Sequence, residues 1–432
     1  MIFNQIETFI FNPSTKVRYR LGEKNFTRNR KLFFDVLILF LLNMPKRTLA
    51  FELHTFFTFL KERTNKIISV STSAFTQSRK KLSPDVFVGI NKVLLQEYYT
   101  DNDERLKYWK GHRLLAIDGS RATLPQTEEL KSEYGVCNNQ NKTDDVVQAR
   151  ISVLYDVLNE LVLDGILSSL RTGEITLAHE HIKLIKEKDI VILDRGYPSF
   201  QLAFEILENK ADFLFRCKYD FNNLTKQFMA SDKQEAIVEI APGKNKVFKN
   251  PDLTKDSRIN VRLIKVSLES GETELLMTSL IDQDVYPYTE FKKLYFTRWK
   301  VETFYNRIKN ILIVENFSGI TKHAILQDFY CALFITNVQS LIIEEAQSKV
   351  DEKTSGRKYN YKVNSSIPLG LMKYKILDLF TNKGAQITLV ELEKLLVQHT
   401  IPIREGRRYK RGVGKYRKRK TPPMFKNRKR NI

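Results

Sequence analysis

The chain is short of cysteine, of acidic charge and of long apolar runs, and each shortage excludes something. Only three cysteines, Cys137, Cys217 and Cys331, occur in 432 residues, in no paired spacing. That excludes a disulfide scaffold and a thiolate zinc cluster, and it suits a reducing compartment. The longest apolar run, Val36–Leu42 (VLILFLL), is bounded by Asp35 and Asn43. It falls far short of the roughly 20 residues that cross a bilayer, and a buried helix is expected there. The start, MIFNQIETFIFN, has neither a basic n-region nor a small-residue cleavage site. Export is not expected, and a cytoplasmic protein is. GxxxxGK(S/T), GxGxxG and GxSxG are all missing, which removes the common phosphate loops and the nucleophile elbow. The one close histidine pair, His179 and His181, is two residues apart. Such residues do not share a helix face, so no histidine metal site is expected.

Positive charge is in excess: 71 Lys+Arg against 50 Asp+Glu leave +21. A polyanion is therefore the first partner to consider. With 42% hydrophobic and 11% aromatic residues the chain can build cores, and this length suggests two to four folding units. Residues 404–432 carry 14 lysines and arginines against one acid, Glu405, a net +13. This tail, with Arg417, Lys418, Arg419 and Lys420 at its centre and Tyr409, Tyr416 and Phe425 interleaved, suits binding along a DNA backbone. A disordered solubilising tail is the alternative.

Residues 1–105 predict a helical domain, with apolar periodicity over 32–44, 50–63 and 84–99. Asn65, Lys66, Thr72, Thr76, Gln77 and Arg79-Lys80-Lys81 would offer it phosphate-contacting groups. It reads equally as a DNA-end-binding module or as a plain packing domain. From about 106 to 218 the pattern turns to strands. Arg113–Asp118 (RLLAID) and Asp189–Asp194 (DIVILD) each close on an aspartate. Val146–Val157 and Leu161–Leu170 suggest a hairpin, and Asp212–Lys218 supplies a further strand. Helices are expected over 174–186 and, capped by Ser199, over 200–209. That order fits a mixed α/β sheet flanked by helices, with the first strand central. Residues 219–284 read as a separate strand-rich piece, 285–315 as one strong helix running from about 289 to 311, and 316–403 as a further helical region.

The chemistry falls to acids at strand ends. Asp118 and Asp194 each precede a turn with Gly119 or Gly196, a rigid position that suits a divalent-metal ligand. On the 289–311 helix, Tyr295, Arg298, Glu302 and Lys309 would fall within an arc of about 60°. Glu302 would complete a metal site there, with the two cations and the phenol around it to hold phosphates. Oxygen-only ligands favour Mg²⁺ or Mn²⁺, and three carboxylates could hold two ions.

Tyr295-x2-Arg298-x3-Glu302-x6-Lys309 resembles the tyrosine–arginine–glutamate–lysine signature of the insertion-sequence-four transposases. Leu115–Ser120 (LAIDGS) and Leu193–Pro198 (LDRGYP) resemble that family's two aspartate motifs. The resemblance covers about 110–315 and implies a ribonuclease-H-like core, a strand-rich insertion and cut-and-paste transposition of a mobile element. It implies Asp118, Asp194 and Glu302 as the metal-binding triad. Tyr295, Arg298, Lys309 and Arg195 would meet DNA phosphates. Double-stranded DNA, at element ends and target, is the implied partner of a homodimer in a paired-end complex, nucleoid-associated in a prokaryote. Relatives that cut through a hairpin are expected to carry a tryptophan in the insertion, whereas this chain has Trp109 and Trp299 elsewhere. Tyr219, Phe221 or Phe228 would have to stack a flipped base instead. A catalytically inactive DNA-binding protein and a ribonuclease-H-like repair nuclease are the rival readings.

Overall fold

The computed structural model describes residues 2–28, 31–64, 69–101, 105–138, 145–243, 250–364, 372–373, 375–380 and 385–404. Asn65, Lys66 and the basic tail from Glu405 onward, including Arg417, Lys418, Arg419 and Lys420, lie outside them. Six helices come first: α1 (Ile2–Phe11), α2 (Pro13–Tyr19), α3 (Phe34–Leu42), α4 (Leu49–Thr64), α5 (Thr72–Arg79) and α6 (Asp85–Asp101). Next come β1 (Arg113–Thr123), α7 (Glu128–Tyr134), β2 (Val136–Asn138), β3 (Asp145–Asp156) and β4 (Leu161–Ser169). The chain continues with α8 (Glu174–Ile182), β5 (Asp189–Leu193), α9 (Phe200–Glu208), β6 (Asp212–Cys217), α10 (Asn223–Ala230), β7 (Glu235–Ile240), β8 (Ile259–Ser267) and β9 (Thr273–Thr278). It ends with α11 (Tyr288–Phe296), α12 (Trp299–Asn306), a π-helical turn (Arg307–Ile311), α13 (Lys322–Thr354), β10 (Tyr361–Val363), α14 (Lys375–Phe380), α15 (Ala385–Gln398) and β11 (Thr400–Pro402).

Two compact units result. One comprises residues 1–104, 122–149 and 306–432, the other residues 105–121 and 150–305. The first is mostly helical. Beyond Asp35 in its first turn α3 is wholly apolar, and Leu37–Leu42 are all buried, as the run VLILFLL anticipates. Its longest helix, α13, is long and apolar enough to cross a membrane, but 83% of that stretch is buried inside the protein. A core helix satisfies the same criteria of length and composition.

In this unit Arg79 does not point outward. It is 4% exposed, and its guanidinium donates to Gln327 Oε1 at 2.6 Å, Ser318 Oγ at 2.7 Å, the Ala324 carbonyl at 2.8 Å and Asp328 Oδ1 at 2.6 Å. Burial works against the Asp328 charge. Arg79, Lys46 and the Ser318 hydrogen bonds outweigh it and hold the carboxyl below its ordinary value. Arg79 thus joins α5 to α13, and its guanidinium is turned inward onto protein partners. Thr72, Thr76, Gln77 and Lys80 around it are exposed.

The second unit is built on a mixed sheet. β1 pairs in parallel with β5, and β5 in parallel with β6. β9, β8 and β7 follow in antiparallel order beyond β6. The 219–284 segment is therefore no separate piece: its last strand hydrogen-bonds directly to β6 and extends the sheet. Strand alternation separates core from site. Leu115 and Ile117, Val191 and Leu193, and Phe213, Phe215 and Cys217 face one core with Ala178, Ile182, Leu202, Ala203 and Ile206 of α8 and α9. The intervening positions, which include Asp118, Asp194 and Arg216, face the other way.

Candidate active site

Register brings the two aspartates abreast. Ala116 is the partner of Ile192, so two residues further on Asp118 lies level with Asp194. Leu193 is the partner of Phe215, which sets Arg216 beside Asp194 on the next strand. Asp118 is not at a strand end, as RLLAID suggested, because β1 continues through it to Thr123. Asp194 does follow the last residue of β5. Each aspartate accepts the N–H of the next residue: Gly119 at 2.8 Å to Asp118 Oδ1, and Arg195 at 2.7 Å to Asp194 Oδ1. One oxygen of each is thereby fixed to backbone.

The segment at 289–311 is not one helix. Thr297 Oγ1 donates to the Leu294 carbonyl at 2.6 Å. The N–H groups of Thr297, Arg298, Lys300 and Val301 all reach back three residues instead of four. This tightened turn separates α11 from α12 and replaces the uniform 100° spacing, because side-chain and three-residue bonds compete with the α-helical ladder. Tyr295 and Glu302 therefore sit on different helices. Lys309 falls in the π-turn, where the Leu312 N–H bonds five residues back to Arg307. It belongs to the first unit and is not among the residues that the second unit assembles.

Arg298, in the tightened turn, is the centre of the arrangement. Only 3% of its side chain is exposed. Its Nη1 lies 3.6 Å from Asp118 Oδ2, and its Nη2 lies 4.0 Å from Asp194 Oδ2 and 3.1 Å from Glu302 Oε1. All three acids singled out from the sequence thus share one guanidinium. Its Cζ lies 5.8 Å from the Tyr295 ring centre and 5.5 Å from that of Trp299. Tyr295 Oη donates to Asp194 Oδ1 at 3.1 Å. Arg195, also expected near phosphate, is exposed.

Burial pushes the Asp118 carboxyl up to about 6; the Gly119 N–H and Arg298 pull it down, while Glu302 and Asp194 push it up further. Burial opposes the charge on Arg298, but Tyr295, Asp194 and Asp118 outweigh it, and its proton is held more firmly than usual. Burial also raises the Tyr295 phenol, which stays protonated and can donate.

The Asp118 shift has a consequence for stability. An acid whose folded pKa lies above its unfolded value of 3.8 keeps a proton that the unfolded chain has released. The Asp118 contribution to stability therefore falls as pH rises from about 4 to 6 and stays lower above that. Asp118→Asn is expected to raise the stability of the metal-free protein above pH 6 by on the order of 1–3 kcal/mol. That gain should vanish below pH 4. Thermal melts in chelator across pH 3.5–8 check it, and a gain independent of pH would contradict it.

Sequence reasoning missed four neighbours of the site. Arg216 sits 3.5 Å from Asp194 Oδ1 and 2.7 Å from Glu274 Oε1, tying the second aspartate to β9. Its only signal in the sequence is a charged residue at the alternate face of DFLFRC, and the pairing of β6 with β5 is needed to set it beside Asp194. Tyr305 Oη donates to the Asp118 carbonyl at 2.7 Å, and Tyr197 Oη is buried without a hydrogen-bond partner. Neither phenol, nor Glu274, carried a spacing that would mark it.

The donor set is entirely oxygen, which suits a hard divalent cation. Among the described residues no three acidic, histidine or cysteine side chains already gather round one point as a metal site. The three acids face Arg298, which lies within 3.1–4.0 Å of each. The two close histidines point to different partners: His179 pairs with Glu205, while His181 is buried against Ser152 and Asp164. Of the aromatics considered for base stacking, Phe228 is buried, with Lys265 Nζ 5.1 Å from its ring centre. It cannot receive a base. Tyr219 is 66% exposed, and Phe221 is partly buried.

A family model described as the transposase DDE domain matches residues 109–338. The chain belongs to the DDE transposase family. It is 22% identical to the transposase InsG of insertion sequence element IS4 from Escherichia coli K12, over 56% of this chain and 54% of InsG. The putative transposase InsZ of the same strain is 26% identical over 32% of this chain and 46% of InsZ. The chain thus spans about half the length of these curated relatives. A cryo-EM structure of the piggyBac transposase synaptic complex with hairpin DNA aligns over 92% of this chain and 78% of its own. Its TM-score is 0.42 at 12% identity, too loose a likeness to carry the fold. The resemblance drawn from the motifs is borne out at the level of the family.

Proposed function

We propose that this DDE transposase cuts and joins DNA at the ends of an insertion sequence, and that its second unit is a ribonuclease-H-like catalytic core. The observation that carries the proposal is the convergence of Asp118, Asp194 and Glu302 on one buried arginine, within 3.1–4.0 Å, inside the span that the family model matches. Asp118, Asp194 and Glu302 would hold Mg²⁺ or Mn²⁺, in one or two ions. When bound, such ions activate a water or a 3′-hydroxyl and stabilise the leaving oxygen of an in-line displacement at phosphorus.

The chain's own residues set the frame for that chemistry. The Gly119 and Arg195 N–H groups orient the two aspartates. Arg216 and Tyr295 hold Asp194 from either side. Arg298, Tyr295 and the exposed Arg195 would supply donors for DNA phosphates. Lys309 and the basic tail add positive charge for the duplex, and a homodimer would pair two element ends. No particular observation favours the catalytically silent reading, since all three acids are present and face one cation.

Strand joining separates a transposase from a repair nuclease. The purified protein, given Mg²⁺, a supercoiled plasmid and a pre-cut duplex ending in the inverted repeat beside its own gene, is expected to join the repeat's 3′-hydroxyl to the plasmid. Hydrolysis of that duplex with no joined product would overturn the proposal.

A further inference from the structure

Arg298 stands out among the described cations because it is both buried and outnumbered. A guanidinium with 3% exposure faces three carboxylates. Its Nε is buried without a hydrogen-bond partner. The contacts at 3.6 and 4.0 Å are longer than direct charge-assisted hydrogen bonds, which run about 2.7–2.9 Å. The side chain is therefore attracted by the cluster as a whole without being locked onto two of the acids, and it keeps one donor unused.

We propose that Arg298 is an exchangeable counter-ion: in the DNA-free protein it neutralises the acid cluster, and it yields that place to divalent metal when a DNA phosphate takes up its guanidinium. This deepens the proposed function and rests on it. Like charges repel. A divalent ion entering among Asp118, Asp194 and Glu302 approaches a fixed positive charge a few ångströms away, in partly desolvated surroundings where such repulsion is weakly screened. Metal binding and the inward position of Arg298 therefore oppose each other. A phosphate oxygen is the ligand that relieves the conflict, since it offers the guanidinium a planar two-point partner and can satisfy the idle Nε–H. Metal and DNA would then bind cooperatively, each tightening the other by the same factor. The site would be armed for hydrolysis only when a phosphodiester is present.

The test is calorimetric titration of Ca²⁺, which reads binding without requiring turnover, into the full chain with and without a duplex end. Three proteins are compared: the parent, Arg298→Gln and Arg298→Lys. Without DNA, Arg298→Gln is expected to bind Ca²⁺ at least tenfold more tightly than the parent, while Arg298→Lys, which keeps the charge, binds no more tightly. The DNA end should tighten Ca²⁺ binding to the parent at least tenfold and change that of Arg298→Gln by less than threefold. Arg298→Gln binding metal no more tightly than the parent would overturn the exchange while leaving the metal site standing. If Arg298→Gln does not fold, the parent decides alone, because equal Ca²⁺ affinity with and without DNA overturns the proposal. No Ca²⁺ binding by any protein, with DNA or without, overturns the metal site itself and this inference with it.

Discussion

Arg79→Ala is expected to destabilise the first unit by about 3–5 kcal/mol, the range for removing one partner from a buried ion pair. Arg79 makes four hydrogen bonds to α13 and to Ser318 before it, and Asp328 keeps its charge mainly because Arg79 lies beside it. Without the guanidinium, Asp328 must stay ionised in a buried site or take up a proton, and Gln327 and the Ala324 carbonyl each lose a partner. A loss this large is a sizeable part of a typical domain's 5–15 kcal/mol. Urea titration of the purified variant measures it. Loss of DNA affinity with the urea midpoint unchanged would show instead that Arg79 serves DNA, as its place in the run Arg79-Lys80-Lys81 first suggested.

That contrast marks where the sequence was legible. Local signals read well: the apolar run at 36–42 became the buried α3, Ser199 caps α9 through its hydrogen bond to the Leu202 N–H at 3.1 Å, and DIVILD became β5 with Asp194 just beyond it. Signals that depend on distant partners did not read. Nothing near Arg79 in the chain announces Gln327 and Asp328, about 250 residues on. β9 reads as a strand from its own residues, yet its pairing with β6 across the intervening segment is a long-range fact. The site divides the same way. Periodicity placed Tyr295, Arg298 and Glu302 together, and the fold keeps them near one another. It does so through a tightened turn that uniform helical spacing does not contain, and Lys309 follows in a π-turn that belongs to the other unit. Arg216 was missed because a single arginine in an apolar strand looks like an edge residue until the register is known.

The second large effect concerns the acids. Replacing Asp118 or Asp194 by asparagine, or Glu302 by glutamine, is expected to lower cleavage at the inverted-repeat boundary by at least about a thousandfold, because each removes a ligand charge from a metal-dependent site. In chelator, where no metal can couple to DNA, affinity for the duplex end should not fall below the parent's by more than a few-fold, since the phosphate-facing cations are untouched. An equal loss of binding and cleavage would point to a folding defect instead.

The central claim, that these carboxylates are metal ligands, is tested most directly by Asp194→Cys assayed for end cleavage in Mg²⁺ and in Mn²⁺. A thiolate is a poor ligand for Mg²⁺ and a better one for a softer ion. Asp194→Cys is expected to be silent in Mg²⁺ and to regain cleavage in Mn²⁺, while Asp194→Ala stays silent in both. An Asp194→Cys protein that cuts as well as the parent in Mg²⁺ would contradict the claim.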